Sequence, residues 1–326
     1  GSEMCIRDRY SSLGNRWCVM LQLVLSNKAG QTTQKVARIL SRIAVGDRIP
    51  TVTALTEECQ TARGNIQLAI NNLRQAGAVG LEAHGQNGTI LTDINYHVLA
   101  NICGVKNLVG SMPLPYTRRY EGLATALFTL LNNEEITNLI AFMRGSEARV
   151  HGLLEGRANY CVMSRMAYQE YCRRGTPIRE VLDCGAQTYV GRHVLLTRPG
   201  FSGKWQGCRV GIDESSVDQS YLTRTFFKDK NVEFVPAQYT QFMTMLQKGK
   251  MDVGIWNEDD LDGQGTSIEC IPLSLTEETR NDDDRAVIVV QKDDMLVNHL
   301  LREYLTVEKL TDVQRQVMSG ERVACY

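Results

Sequence analysis

Apolar residues first recur at helical spacing at Val36, Ile39, Leu40 and Ile43, and Gly46-Asp47-Arg48-Ile49-Pro50 then stops that helix. Thr53–Cys59 predicts a second short helix with Leu55 turned inward. Thr61 is the expected N-cap of a third helix, running from Ala62 to about Ala76 and ending at Gly77. In that helix Ile66, Ala69, Ile70 and Leu73 form an apolar stripe, while Arg63, Gln67, Asn71 and Arg74 form a polar one. Val79–Ala83 and Thr89–Leu91 read as strands of a hairpin, with a turn over His84-Gly85-Gln86-Asn87-Gly88 and Asn-Gly at its tip. Helices followed by a two-stranded wing predict a winged helix-turn-helix over residues 28–95, with 96–106 as a linker.

After Val105 the pattern changes to alternating strands and helices. Leu108–Met112 predicts a strand, ended by Pro113-Leu114-Pro115, and Thr117 caps a helix whose Leu123, Ala124, Leu127 and Leu131 face a sheet. Strand Ile136–Phe142, helix Glu147–Glu155 with its stop at Gly156, and strand Tyr160–Met163 complete a βαβαβ unit. The grammar recurs in strand Cys208–Ile212, helix Asp218–Phe227, strand Val232–Val235 and helix Tyr239–Leu246. At an offset of 93 residues, Leu153, Gly156, Asn159 and Ser164 align with Leu246, Gly249, Asp252 and Asn257. The expected fold class is therefore α/β, with a two-lobed domain over 107–326. Lobe 1 is assigned to 107–200 and 284–326, and lobe 2 to 205–275.

Charge and composition refine this reading only locally. The 326 residues carry a net charge of −1, so a nucleic-acid-binding surface has to be confined to one segment. From Lys35 to Asp93 there are six basic and five acidic residues, which predicts weak phosphate attraction per copy and a homodimer on double-stranded DNA. The polar stripe supplies Arg, Gln and Asn, whose forked donors and acceptors read base edges, although such a stripe is also what a solvated helix face looks like. Expected DNA contacts are Thr51, Arg63, Gly64, Asn65, Gln67, Asn71, His84 and Gln86; Gly64 would let the backbone approach a partner closely.

Ligands of open α/β sheets sit beyond the C-terminal ends of strands, near helix N-termini. That places Ser111, Pro113, Tyr116, Arg144 and Ser164 on one wall of a cleft and Ser215, Ser216, Gln219 and Asn257 on the other. Simple helix capping is an equal explanation for Ser215, Ser216 and Asp218. Tyr116, Arg118, Arg119 and Arg144 hint at an anionic effector.

The order and spacing from Gly46 to Leu91 resemble GntR-type regulators, with Ala62 where that family usually has Ser, and His84 and Gln86 where basic residues are common. The two facing lobes resemble the type II periplasmic-binding-protein fold, also used as the effector domain of LysR-type regulators. Met112-Pro113-Leu114-Pro115-Tyr116-Thr117-Arg118-Arg119-Tyr120-Glu121-Gly122-Leu123, with Arg144-Gly145, Tyr189-Val190-Gly191, Ile255-Trp256-Asn257 and Val317-Met318-Ser319-Gly320-Glu321, is similar to YhfZ-type regulators. That resemblance covers about Lys28 to Tyr326. It implies a GntR-like DNA-binding head joined to a two-lobed binding domain, and it brings no ligand with it.

Other chemistry finds little support. GxSxG, HExxH and P-loop patterns are absent, and His84, His97, His151, His193 and His299 are isolated in sequence. The ten cysteines scatter from Cys5 to Cys325 without a CxxC pair, as expected for reduced thiols in a cytoplasm with no metal or cofactor. An enzyme of synthase or transferase type is the alternative that the two-lobed fold leaves open. Gly1-Ser2 reads as the scar of a tag and Glu3–Arg9 as a translated sequencing adapter, so 1–27 is treated as an extension with neither a signal peptide nor a membrane span.

Overall fold

The computed structural model describes residues 28–134, 136–261, 268–273 and 282–326, so the expected 1–27 extension lies outside the described residues. The chain divides into two compact units, one reaching to Lys106 and including Asp293–Leu300, the other comprising Asn107–Lys292 and Leu301–Tyr326. Among the described residues, no helix is long and apolar enough to cross a membrane.

The first unit is a winged helix-turn-helix, built from α1 (Lys28–Leu40), α2 (Val52–Cys59), α3 (Arg63–Gln75), β1 (Val79–Ala83), β2 (Thr89–Ile94) and α4 (Tyr96–Ile102). Its core closes because the apolar stripe of α3 (Ile66, Ala69, Leu73) meets Val36 and Leu40 of α1, Leu55 of α2 and Leu91 of the wing. Thr51 caps α2, accepting from Ala54 N at 3.2 Å. The cap expected at Thr61 does not form. The helix begins one residue later, at an Ala62 N-cap without a side-chain bond, and Thr61 Oγ1 instead accepts from Asn65 Nδ2 at 3.0 Å. The turn expected over residues 84–88 forms. Pairing ends at Ala83 with Thr89, so five residues make the connection, with a 3-10 turn over Gly85–Asn87.

Residues 96–106, expected to be a linker, contain α4. Asn95 caps it by accepting from Val98 N at 3.1 Å, and Leu99, Ile102 and Cys103 are buried in the head's core. Leu296 joins the same core and His299 stacks on Tyr96 at 3.6 Å, which takes Asp293–Leu300 out of the lobe 1 segment assigned from sequence.

The second unit contains β3 (Asn107–Met112), α5 (Arg118–Leu131), β4 (Thr137–Phe142), α6 (Ser146–Leu154), β5 (Tyr160–Ser164), α7 (Arg165–Arg173) and β6 (Ile178–Asp183). It continues with β7 (His193–Thr197), β8 (Cys208–Ile212), α8 (Val217–Phe227), β9 (Val232–Pro236), α9 (Phe242–Gln247), β10 (Val253–Asn257), β11 (Glu269–Pro272) and β12 (Ala286–Gln291). The last helices are α10 (Met295–Tyr304), which straddles the division between units, and α11 (Val307–Ser319), which packs on α5.

Among the described residues of this unit the strands form two five-stranded sheets, ordered β4-β3-β5-β12-β6 in lobe 1 and β9-β8-β10-β7-β11 in lobe 2. The first three strands of each are parallel, and the next runs antiparallel to them. That fourth strand comes from the chain leaving the opposite lobe. Hence β7, placed in lobe 1 by the boundary at residue 200, belongs to the sheet of lobe 2, where it pairs with β10 and β11. The chain crosses between lobes once between β6 and β7 and again between β11 and β12.

The 93-residue repeat is visible in hydrogen bonds. Asn159 donates through its backbone N to Val109 O and accepts from Val109 N on Oδ1, at 2.7 and 2.8 Å. Asp252 does the same with Arg209, its backbone N donating at 2.8 Å and its Oδ2 accepting from Arg209 N at 2.9 Å. Each pair anchors the start of a third strand to the first. Ser164 and Asn257 end those strands, and both act as N-caps, accepting from Ala167 N and Asp259 N at 3.0 Å each.

Candidate functional site

On the head, Arg63, Gly64, Gln67, Asn71 and Arg74 share the exposed side of α3, opposite its buried stripe. A groove is lined by Thr51, Gln67, Asn71 and Arg74, with Arg48, Pro50, Gly88 and Thr89 from the helix stop and wing. Asn65 turns away from this surface toward Thr61, and His84 and Gln86 are exposed at the wing tip, with His84 Nε2 at 3.8 Å from Glu82. Arg48 was not singled out from sequence, because an arginine in a helix-stop turn carries no signal of its own. Its guanidinium lies against Gly88, where a Cβ would come within 2.3 Å of Nε. Gly64, by contrast, has nothing within 4 Å of where a Cβ would stand, so packing within the head does not require a glycine there.

Between the lobes of the second unit is a cavity of about 90 Å³. Pro113, Tyr116, Arg144, Ser215, Ser216 and Asn257, expected from sequence, all line it. Ser111, Ser164 and Gln219 do not. Ser111 is 1% exposed within β3. Ser164 Oγ donates to Asp218 Oδ1 at 2.6 Å while capping α7, which fastens one lobe to the other. The Gln219 amide is consumed inside lobe 2, its Oε1 accepting from Asp213 N at 2.7 Å and its Nε2 donating to Thr223 Oγ1 at 2.9 Å. Capping accounts for part of the second wall too. Ser216 Oγ accepts from Gln219 N, and Ser215 Oγ donates to Asp213 Oδ1 at 2.6 Å.

Further residues that sequence reasoning did not select complete the cavity: Tyr120, Arg149, Tyr189, His193, Asp213, Asp218 and Tyr239. Arg149 is 3% exposed and donates to Val162 O at 3.0 Å, Met143 O at 2.8 Å and the Tyr189 hydroxyl at 3.3 Å. Tyr239 stacks face to face on Trp256 at 4.0 Å, and its hydroxyl accepts from Asn257 N at 2.7 Å. Asn257 Nδ2 is buried without a hydrogen-bond partner. At the cavity wall His193 Nδ1 bonds Asp283; burial works against the imidazolium, but the carboxylate outweighs it and raises the ring's pKa. Burial, reinforced by Asp283, pushes the Asp218 carboxyl up to about 6.

The lobes are joined by several bonds besides Ser164–Asp218. Arg119 pairs with both oxygens of Asp259, at 2.8 and 3.2 Å, and Arg144 Nη1 donates to Gln238 Oε1 at 2.9 Å. Gly145, at φ +74°, passes so close to lobe 2 that a Cβ would lie 2.8 Å from Ser215 O. Arg118, the other guanidinium considered for an anion, points elsewhere and pairs with Glu121 at 3.4 Å.

A winged helix-turn-helix followed by a two-lobed α/β domain with a polar, tyrosine-walled cleft defines the class, and the fold is the one expected from sequence. Residues 44–91 match the family described as Helix-turn-helix domain, and residues 95–326 match YhfZ C-terminal domain. The chain belongs to the YhfZ family. It is 35% identical over 309 residues to the protein YhfZ of Escherichia coli K12, covering 92% of this chain and 98% of that protein. The crystal structure of YhfZ from Shigella flexneri superposes with a TM-score of 0.59 at 36% identity, covering 71% of this chain and 98% of that one.

Proposed function

We propose that the chain is a transcription regulator that binds double-stranded DNA through its head and changes its DNA affinity when a small molecule occupies the interlobe cavity. The observation that carries the DNA reading is the exposed stripe of α3, Arg63, Gln67, Asn71 and Arg74, the last three of which line a groove with Thr51 and Arg48. Such side chains match base edges and phosphates, and Gly64 at the start of the helix leaves room for a backbone-to-phosphate approach. The head acts in GntR-like fashion, with a homodimer placing two heads on half-sites about one helical turn apart. A weakly charged head makes that pairing useful, since few phosphate contacts per copy give little affinity. The protein works in the cytoplasm and performs no catalysis.

Selection from random double-stranded DNA with the full chain tests this. The expected outcome is enrichment of a two-fold-symmetric sequence, with Arg63→Ala and Gln67→Ala each weakening it by about 1–3 kcal/mol while sparing most non-specific binding. No enrichment, or equal losses on selected and random DNA, would remove the base-reading role.

A further inference from the structure

We propose that the interlobe cavity takes a small ampholyte, its acid group held by Arg149, the first turn of α6 and Asn257, and its ammonium group held by Asp218. This rests on the sensor reading above and names the ligand's chemical class.

On the acid side, the Arg149 guanidinium is 3% exposed, yet it donates to two backbone carbonyls and a tyrosine hydroxyl. Among the described residues no carboxylate forms an ion pair with it. Asp218 acts on it only from beyond ion-pair distance, and a buried guanidinium so placed is costly unless an anion joins it. The N-terminus of α6 borders the same space through Gly145 and Ser146 and has no side-chain cap, so its first amides add to the acid end, against the one carboxylate of its first turn, Glu147. From the opposite lobe comes a second, independent sign. Asn257 is 3% exposed, lines the cavity, and leaves Nδ2 with no acceptor. A buried donor left unmade costs about 1–3 kcal/mol, which a ligand oxygen would relieve.

The other end is anionic. Asp218 lines the cavity, its Oδ1 accepts from Ser164, and among the described residues no cation pairs with it. Burial raises its carboxyl to about 6, and a ligand cation beside it would hold the ionised form. The charged groups around the space are balanced in kind: Arg144, Arg149 and His193 against Asp213, Asp218 and Asp283. A bare anion would satisfy Arg149 and confront Asp218; a bare amine would do the reverse. A molecule carrying both charges satisfies both. Tyr116, Tyr120 and Tyr189, in edge-to-face contact at 5.5 and 5.3 Å, wall the space between. The small volume calls for a short carbon skeleton.

The test is thermal shift and calorimetry on the full chain with matched probes. These are the common α-amino acids, β-alanine and γ-aminobutyrate, the same skeletons without the amine, the same without the carboxylate, and inorganic phosphate. At least one amino acid should bind, with both single-charge counterparts weaker by about tenfold or more. Asp218→Asn, which keeps its shape and an acceptor for Ser164, should lose about tenfold for the amino acid and nothing for the bare carboxylate. Arg149→Gln should lose binding of both. Because Arg149 also holds backbone carbonyls and the variant can misfold, Asn257→Ala serves as the second probe of the acid end, and a similar loss is expected. A carboxylate or phosphate that binds as tightly as any amino acid, an Asp218→Asn variant of unchanged affinity, or a panel without a binder overturns the assignment. Phosphate binding would still leave the sensor reading intact. Conversely, amino-acid binding that leaves DNA affinity untouched removes the sensor reading and keeps the ligand class.

Discussion

Lobe 1 and lobe 2 share a strand order and a helix, glycine, strand sequence, but they spend equivalent positions differently. Where the backbone must be anchored they agree: Asn159 and Asp252 clasp the first strand, and Gly156 and Gly249 end the preceding helices at φ +73° and +62°. Where the cavity is built they part. At the 93-residue offset, Arg149 of lobe 1 corresponds to Phe242 of lobe 2, a buried ring packed over Gly211 and Gly254. Ser164 reaches across to Asp218, whereas Asn257 keeps a buried donor unpaired. A repeat preserved in its scaffold and changed at its strand ends is what a shared architecture requires when only the cleft has to recognise something.

The largest effect expected from this contrast is in lobe 2's core. Phe242→Ala should lower stability by about 3–5 kcal/mol in urea unfolding, because the ring fills space against two strand glycines. A loss under about 1 kcal/mol would mean the site collapses and the ring is not the counterpart of a structural residue. Arg149→Met should cost somewhat less, about 2–3 kcal/mol, by stranding the Val162 and Met143 carbonyls. Unlike Phe242→Ala, it should also abolish ligand stabilisation. If both variants respond to ligand alike, the division of labour between the lobes is wrong.

The anchoring pair differs in charge, which gives the lobes different responses to acid. Hydrogen bonds from Arg209, against some desolvation, hold the Asp252 carboxyl down at about 2. A depressed carboxyl contributes stability that is complete above its unfolded value near 4 and disappears as pH falls toward about 2. Asp252→Asn should therefore cost about 1–2 kcal/mol at pH 7 and little near pH 2. Asn159 has no such dependence, so Asn159→Ala should cost about 1 kcal/mol at either pH. Equal pH profiles for the two variants would contradict the contrast.

One further effect has the opposite sign. Asp218, raised to about 6, binds its proton more tightly when folded, so stability is lost as pH rises from about 4 through 6. Asp218→Asn should then stabilise the ligand-free protein by about 1–2 kcal/mol at pH 7 and leave it unchanged at pH 4. A melting temperature lowered at pH 7 would show that Asp218 is already compensated.

Local patterns were legible wherever one face of an element met one core. The spacing of Ile66, Ala69 and Leu73 is enough to draw α3, and the βαβαβ alternation is enough to draw either lobe. The Asn95 cap before Val98, Leu99 and Ile102 carried the signal of α4, overlooked because the stretch follows a wing and precedes a new domain. The destination of β7 was not legible, since an apolar His193–Thr197 strand does not say which sheet it joins; pairing is non-local. Arg149 is invisible for a similar reason. Beside Val150 and Leu153 it reads as a solvated helix position, and only the carbonyls of Met143 and Val162, brought by other elements, bury it. His193 and Asp283 meet across 90 residues, beyond the reach of any spacing rule.

Linkage between the cavity and the head is the most direct test. The affinity of the full chain for its selected DNA would be measured with and without saturating amounts of the amino acid that stabilises it most. A change of about fivefold or more is expected, in either direction, and DNA should shift the amino acid's affinity by the same factor. Affinities that do not change in either titration, with binding to both partners intact, would contradict a regulator whose DNA reading answers to its cleft.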